Sequence, residues 1–100
     1  MMPGALSPDT RVVVSPRQLS TALAGEIVIL GLDDGVYYGL DGVGTRVWEL
    51  LQSPRCLTEL VDALVVEYDT SAEQLAADLH PLLSDLHARG LVAIVAAAGA

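Results

Sequence analysis

Residues 36–51 read VYYGLDGVGTRVWELL, and the change of rhythm inside this stretch decides the fold. Val36, Tyr37 and Tyr38 are β-branched and aromatic types that suit a half-buried pleated surface, and Gly35 before them permits a tight turn. Past Leu40 the spacing becomes helical. Val43, Val47, Trp48, Leu50 and Leu51 recur on one face, and Asp41 is placed to accept from the orphan N–H groups of the first turn. The stretch therefore predicts a strand over 36–40 that runs straight into a capped helix over 41–51.

Upstream, Glu26 to Leu32 (EIVILGL) is almost continuously apolar and reads as a second strand. Asp33-Asp34-Gly35 after it is a hairpin turn, so the strands on either side of it should be antiparallel neighbours. Arg11 to Ser15 (RVVVS) reads as a short first strand closed by Pro16, which cannot donate to a sheet ladder. Arg17 to Gly25 reads as a connector with at most part of a helical turn. The first ten residues, with two prolines, Gly, Ser and Asp, should be loose.

Downstream the chain is helical. Pro54 biases Ser53 away from helical angles and ends the first helix. Leu57, Leu60, Val61, Leu64, Val65 and Tyr68 form one apolar face of a second helix over 57–68. Cys56 stands at its start, where a hydroxyl or polar cap is expected, so that end should fray. Thr70-x-x-Glu73 and Ser71-x-x-Gln74 both have capping-box spacing and open a third helix on either register. Pro81 should bend that helix near His80 rather than split it. Leu75, Leu82 and Leu86 lie on one flank of Leu79 and read as filled core. Ala76, His80, Leu83 and His87 lie on the other, where a small Ala between larger neighbours leaves room for a groove. Gly90 is placed as a C′ residue, and Leu91 to Ala96 returns as a short strand or packs as a tail.

One hundred residues, 52% of them apolar and none Phe, make one globular domain with an aliphatic core. Residues 11–92 carry it, between an N-terminal arm (1–10) and a tail (93–100). The fold class expected is α+β and winged helix-turn-helix-like, a three-stranded antiparallel sheet followed by three helices. No apolar run is long enough to cross a bilayer, and the start lacks the basic and apolar regions of a secretory signal, so a cytoplasmic protein without a membrane partner is expected. Thirteen Asp and Glu against five Arg and no Lys give a net charge of −8. That balance opposes neutralising phosphates, and the third helix sets Glu73, Asp78 and Asp85 against Arg89 alone, so no nucleic acid partner is expected.

No catalytic constellation emerges. His80 and His87 lie on one side of the helix but about 10 Å apart by helical rise, too far to share a metal directly. Cys56 sits in the connector SPRC with no basic cluster beyond Arg55, as a spacer or poor cap rather than a nucleophile. Phosphate-binding glycine loops, HExxH and Cys-x-x-Cys are absent from the sequence. Gly39, Gly42 and Gly44 fit the geometry of a strand-to-helix corner. No cofactor and no metal are expected.

The run Asp34-Gly35-Val36-Tyr37-Tyr38-Gly39-Leu40-Asp41-x-x-Gly44-x-x-Val47-Trp48-x-Leu50-Leu51 resembles the pattern of the pyrroloquinoline quinone synthesis protein D family. The likeness continues through Leu60-Val61-x-x-Leu64, Glu67-Tyr68-Asp69 and Leu86-x-x-x-Gly90-Leu91-Val92, and covers about Arg11 to Val92. Asp41 stands where the family usually has Asn, which keeps a capping oxygen. Such proteins are precursor-peptide recognition elements, and Tyr37-Tyr38-Gly39-Leu40 followed by Val47-Trp48 is most similar to the stand-alone members of lasso peptide pathways. The resemblance implies a non-enzymatic adaptor, a peptide chaperone that binds the leader of a precursor peptide and presents it to a leader peptidase and a cyclase.

An edge strand fits that role, because its unpaired N–H and C=O groups accept an extended peptide as a further strand. The resemblance implies a groove between the third strand and the third helix. Its expected walls are Val36, Tyr37, Tyr38, Gly39 and Leu40 on one side and Ala76, Leu79, His80 and Leu83 on the other, with Asp78 or Asp85 attracting basic leader residues. The alternatives are an acidic winged-helix regulator acting through protein partners, the corresponding chaperone of pyrroloquinoline quinone synthesis, and an enzyme using Cys56 with a histidine.

Overall fold

A computed structural model describes residues 7–95. In chain order the elements are β1 (Val12–Val14), β2 (Gln18–Leu23), β3 (Glu26–Gly31), β4 (Tyr37–Leu40), α1 (Val43–Leu50), α2 (Leu57–Val65), α3 (Ala72–Ala88) and β5 (Val92–Ile94). The class is α+β: β2, β3 and β4 form an antiparallel sheet in that order, and three helices follow it. The expectations for the N-terminal arm at 1–6 and for the tail beyond 95 lie outside the described residues.

The membership of the sheet corrects the sequence reading. Arg17 to Gly25 is no helical turn. Gln18–Leu23 is a six-residue strand paired with β3 along its length, from Gln18 opposite Gly31 to Leu23 opposite Glu26. Ala24 and Gly25 close that hairpin with positive φ at both residues, 51° and 84°, the backbone a two-residue turn between twisted strands requires. Val12–Val14 leaves the sheet and pairs instead with Val92–Ile94. Pro16 marks the point where the chain changes partners, since it has no N–H to offer to a ladder.

The hairpin at Asp33-Asp34-Gly35 forms as read. Ile27 faces Leu40 and Leu30 faces Tyr37 across it, Gly35 takes φ +69°, and the Asp34 carboxylate accepts from Val36 N–H at 3.0 Å. Ile27 and Ile29 point inward from β3 and are buried with Leu40, Val47, Trp48, Leu51, Leu60, Leu64, Leu79 and Leu86. This aliphatic layer holds helices and sheet together. Trp48 also reaches across to donate from Nε1 to the Ser20 hydroxyl at 3.3 Å, tying α1 to β2.

The helix ends differ from the sequence reading in detail. Gly42, at φ +54°, is the N-cap of α1, and no side chain caps it. Asp41 gives only its carbonyl, to Gly44 N–H at 3.0 Å, because the chain turns too sharply for its carboxylate to reach the first turn. Gly44 permits the close approach, since a Cβ there would stand 3.2 Å from Leu40. The second helix stops at Val65, three residues short of Tyr68. Its start does not fray as expected: Cys56 and Glu59 have capping-box geometry, with the Glu59 carboxylate accepting from Cys56 N–H at 3.0 Å and itself pinned by Arg11 at 2.9 Å. Of the two registers offered for α3 the chain takes Ser71, whose hydroxyl accepts from Gln74 N–H at 3.1 Å. The helix then runs through Pro81 to Ala88 as one element.

Candidate functional site

β4 is an edge strand: β3 pairs with one side of it and no described strand pairs with the other. The phase of its ladder follows from one bond. Gly31 N–H donates to Val36 C=O at 3.0 Å, and antiparallel bonding alternates, so Tyr38 and Leu40 spend their backbone groups on β3. Tyr37 and Gly39 therefore turn N–H and C=O to the open side. Side chains alternate the other way, with Tyr38 packed against the core and Leu40 buried in it, while Tyr37 is exposed on the outer face. Val36, just ahead of the strand, is exposed as well.

One side-chain contact ties β4 to α3 and fixes which flank of that helix meets it. The Tyr38 hydroxyl donates to Asp85 Oδ2 at 2.7 Å, and the Arg89 guanidinium lies 5.0 Å from the Tyr38 ring centroid while pairing with Asp85 at 3.2 Å. Asp78, Leu82, Asp85 and Arg89 follow at i, i+4, i+7 and i+11 and so share one stripe. At its other end a cleft of ≈ 290 Å³ opens, lined by Val43, Tyr68, Asp69, Thr70, Leu75 and Asp78. Asp78 belongs to both the stripe and the cleft, and with Asp85 it sets carboxylates along this flank of α3.

Electrostatics favour the paired state of the clasp. The hydrogen bond from Tyr38, with help from Arg89, keeps the Asp85 carboxyl below its usual range although partial burial opposes this. Burial first, and then the neighbouring Asp85, push the Tyr38 phenol up, with Arg89 acting against them. Both shifts favour the states in which the pair binds, a neutral phenol and a carboxylate.

The helix wall expected from sequence is not the wall that faces β4. Leu79 and Leu83 are buried in the core and present no surface to a groove. Ala76 faces the other way, lining a separate cleft of ≈ 340 Å³ against α2 with Leu57, Val61 and Pro8. His80, one turn on from Ala76 along the helix, is exposed on that same flank. Leu82, assigned to filled core, is only half-buried and lies on the stripe with Asp85. The signal that would have selected the right flank was present as the Asp85–Arg89 pair at i,i+4 beside a tyrosine-bearing edge, but nothing local says which side of a helix a distant strand approaches.

Cys56 is buried at the start of α2, and among the described residues no group of three or more His, Cys, Asp or Glu side chains could hold a metal ion. No helix among them is long and apolar enough to cross a membrane.

A family model for coenzyme PQQ synthesis protein D (PqqD) matches residues 26–92, from the start of β3 through α3. The chain belongs to the PqqD family. Among solved structures, TbiB1 in complex with the TbiA(beta) leader peptide is similar to this PqqD-family chain, with 35% identity, a TM-score of 0.74, and coverage of 80% of this chain and 93% of that one. A search of curated proteins gives no match. The family match contains β4 and α3 and leaves β2 outside it.

Proposed function

We propose that this PqqD-family protein is a non-catalytic adaptor. It binds the leader region of a ribosomally synthesised precursor peptide, most naturally a lasso peptide precursor, and presents it to the leader peptidase and cyclase of the same pathway in the cytoplasm. The leader adds as a fourth strand on the open edge of β4, bonding to the backbone of Tyr37 and Gly39, while Val36, Tyr38 and Leu40 hold that edge in place. Asp78, Leu82, Asp85 and Arg89 form the facing wall in place of Ala76, Leu79, His80 and Leu83. The observation that carries the reading is the open β4 edge alongside α3, in a chain 35% identical to a protein whose structure holds a leader peptide.

Titration of the full-length protein with a labelled cognate leader tests it. Saturable binding is expected, lost when a peptide of the same composition in scrambled order is used, and absence of binding to the cognate leader overturns the reading. The family description itself favours a second reading, the peptide chaperone of pyrroloquinoline quinone synthesis. Neighbouring reading frames discriminate: a short precursor gene beside a peptidase and an asparagine-synthetase-like cyclase supports the lasso pathway, whereas quinone-pathway genes support the other.

A further inference from the structure

The outer face of the β2-β3-β4 sheet carries an apolar surface that none of the described residues covers. Register places Leu19, Leu30 and Tyr37 in one cross-strand row and Thr21, Val28 and Gly39 in the next, with Leu23 beyond them on β2. Leu19 is 61% exposed, Leu23 59% and Tyr37 69%. The core needs only the opposite face, through Ile27 and Ile29. β2 is also a free edge of six residues without a charge or a proline in it, so it has none of the devices that usually blunt an exposed edge. Contiguous exposed apolar area of a few hundred Å² on a soluble domain marks an interaction surface.

We propose that this face docks the protein that acts on the bound peptide, through a complementary surface with an apolar centre and a basic rim. The inference rests on β4 being the peptide-binding edge. Tyr37 belongs to both surfaces: its backbone faces the open edge and its side chain stands on the outer face. A protein that works on a peptide lying along β4 therefore meets the outer face first. Charge selects the kind of partner. Glu26, Asp33 and Asp34 border the face, and Arg17, the one cation near it among the described residues, is held by Asp33 at 2.7 Å. A second copy of this chain would bring a net charge of −8 against −8, whereas a partner with Lys and Arg around an apolar centre is attracted and steered.

Leu19→Glu/Leu23→Glu tests the proposal, since both side chains lie on β2, away from the groove. Three quantities are read on the full-length protein: leader affinity by fluorescence anisotropy, sedimentation of the free protein, and the rate of leader removal with the purified peptidase and precursor of the same pathway. The variant should bind the leader within about twofold of the wild type and slow leader removal about tenfold or more, the loss expected when two apolar anchors are replaced by charges facing an apolar partner. Thr21→Arg, at the centre of the same face, is the second variant and should slow removal in the same way. Wild-type removal rates in folded variants overturn the inference, and so does a wild-type dimer that the variants dissociate. Failure of the wild type to bind the leader at all is a separate result, which removes the adaptor reading instead.

Discussion

Replacing Gly39 by proline separates peptide binding from folding at one atom. Gly39 N–H faces the open side of β4, so its loss removes nothing from the β3–β4 ladder. Its φ is not in the left-handed region, and a Cβ built there meets nothing within 4 Å. Proline is tolerated on an edge strand with its nitrogen turned outward, so the variant should fold. A leader strand would lose a donor at Gly39 and be pushed off the neighbouring acceptor by the ring. Two main-chain bonds at about 0.5–1.5 kcal/mol each make about 1–3 kcal/mol, which is about fivefold to a hundredfold weaker binding. Anisotropy titration of labelled leader measures it, with circular dichroism and Tm confirming the fold and Gly39→Ala, expected to bind as wild type, as the control. Tyr38→Pro is the counterpart, because that nitrogen belongs to the ladder with Ile29; it should destabilise the sheet itself. Unchanged leader affinity in folded Gly39→Pro would refute strand addition at this edge.

Tyr38→Phe deletes the bond to Asp85 without touching the ring under Arg89; we expect a folded protein within about 1 kcal/mol of wild type by urea melt and a leader affinity that falls several-fold as the α3 wall loosens. The clasp also sets a pH window. The lowered carboxyl of Asp85 contributes stability above its unfolded value near 3.8, lost as pH falls through the lower folded value, and the raised phenol of Tyr38 contributes below 10.0, lost as pH rises through its higher folded value; leader binding should be flat between those limits, and Asp85→Asn should shrink the acid limb, leaving the part that the lowered carboxyls of Asp33, Glu59 and Glu67 contribute through stability. Ala24 holds φ 51° in the β2–β3 turn, so Ala24→Asn, a residue that tolerates this conformation, should raise Tm by a few degrees, consistent with about 0.5–1 kcal/mol in a 100-residue domain. Trp48→Ala empties a buried site that also bonds Ser20 and should cost about 3–5 kcal/mol by chemical denaturation, enough to unfold a marginal domain at physiological temperature.

Legibility in the sequence followed the strength of the local signal. The strand-to-helix corner at residues 36–51, the Asp33-Asp34-Gly35 hairpin, the Ser71 cap and Gly90 at φ +75° past the end of α3 were all readable, because each rests on contacts a few residues apart. β2 was missed although Leu19, Thr21 and Leu23 alternate with Gln18, Ser20 and Ala22 as an edge strand should. Its outward leucines resemble neither a polar solvent face nor a buried run, and Ala-Gly is a weak turn signal beside Asp-Gly. Partner exchange between β1 and β5 was not readable at all, since eighty residues separate Val12 from its partner Val92–Ile94 strand at the far end of the chain.

The candidate site divides along the same line for a different reason. An edge that binds a peptide through main-chain N–H and C=O uses groups that every residue except proline carries, so no side chain at Tyr37 or Gly39 announces it. What the sequence can encode is the frame: a hairpin that sets the ladder phase, a glycine corner that lets α1 turn away, and a clasp that holds α3 at a fixed separation from β4. Of these, the clasp is the part made by side chains distant in sequence, Tyr38 with Asp85 and Arg89. If the leader pairs along β4 as proposed, peptide specificity resides in the wall and the clefts rather than in the edge. Substitutions at Leu82 or Asp78 should accordingly re-rank leader sequences while leaving the strand-pairing contribution intact, whereas Gly39→Pro should weaken all leaders alike. A Gly39→Pro effect confined to one leader would mean that side chains, not the β4 backbone, carry the common part of the binding.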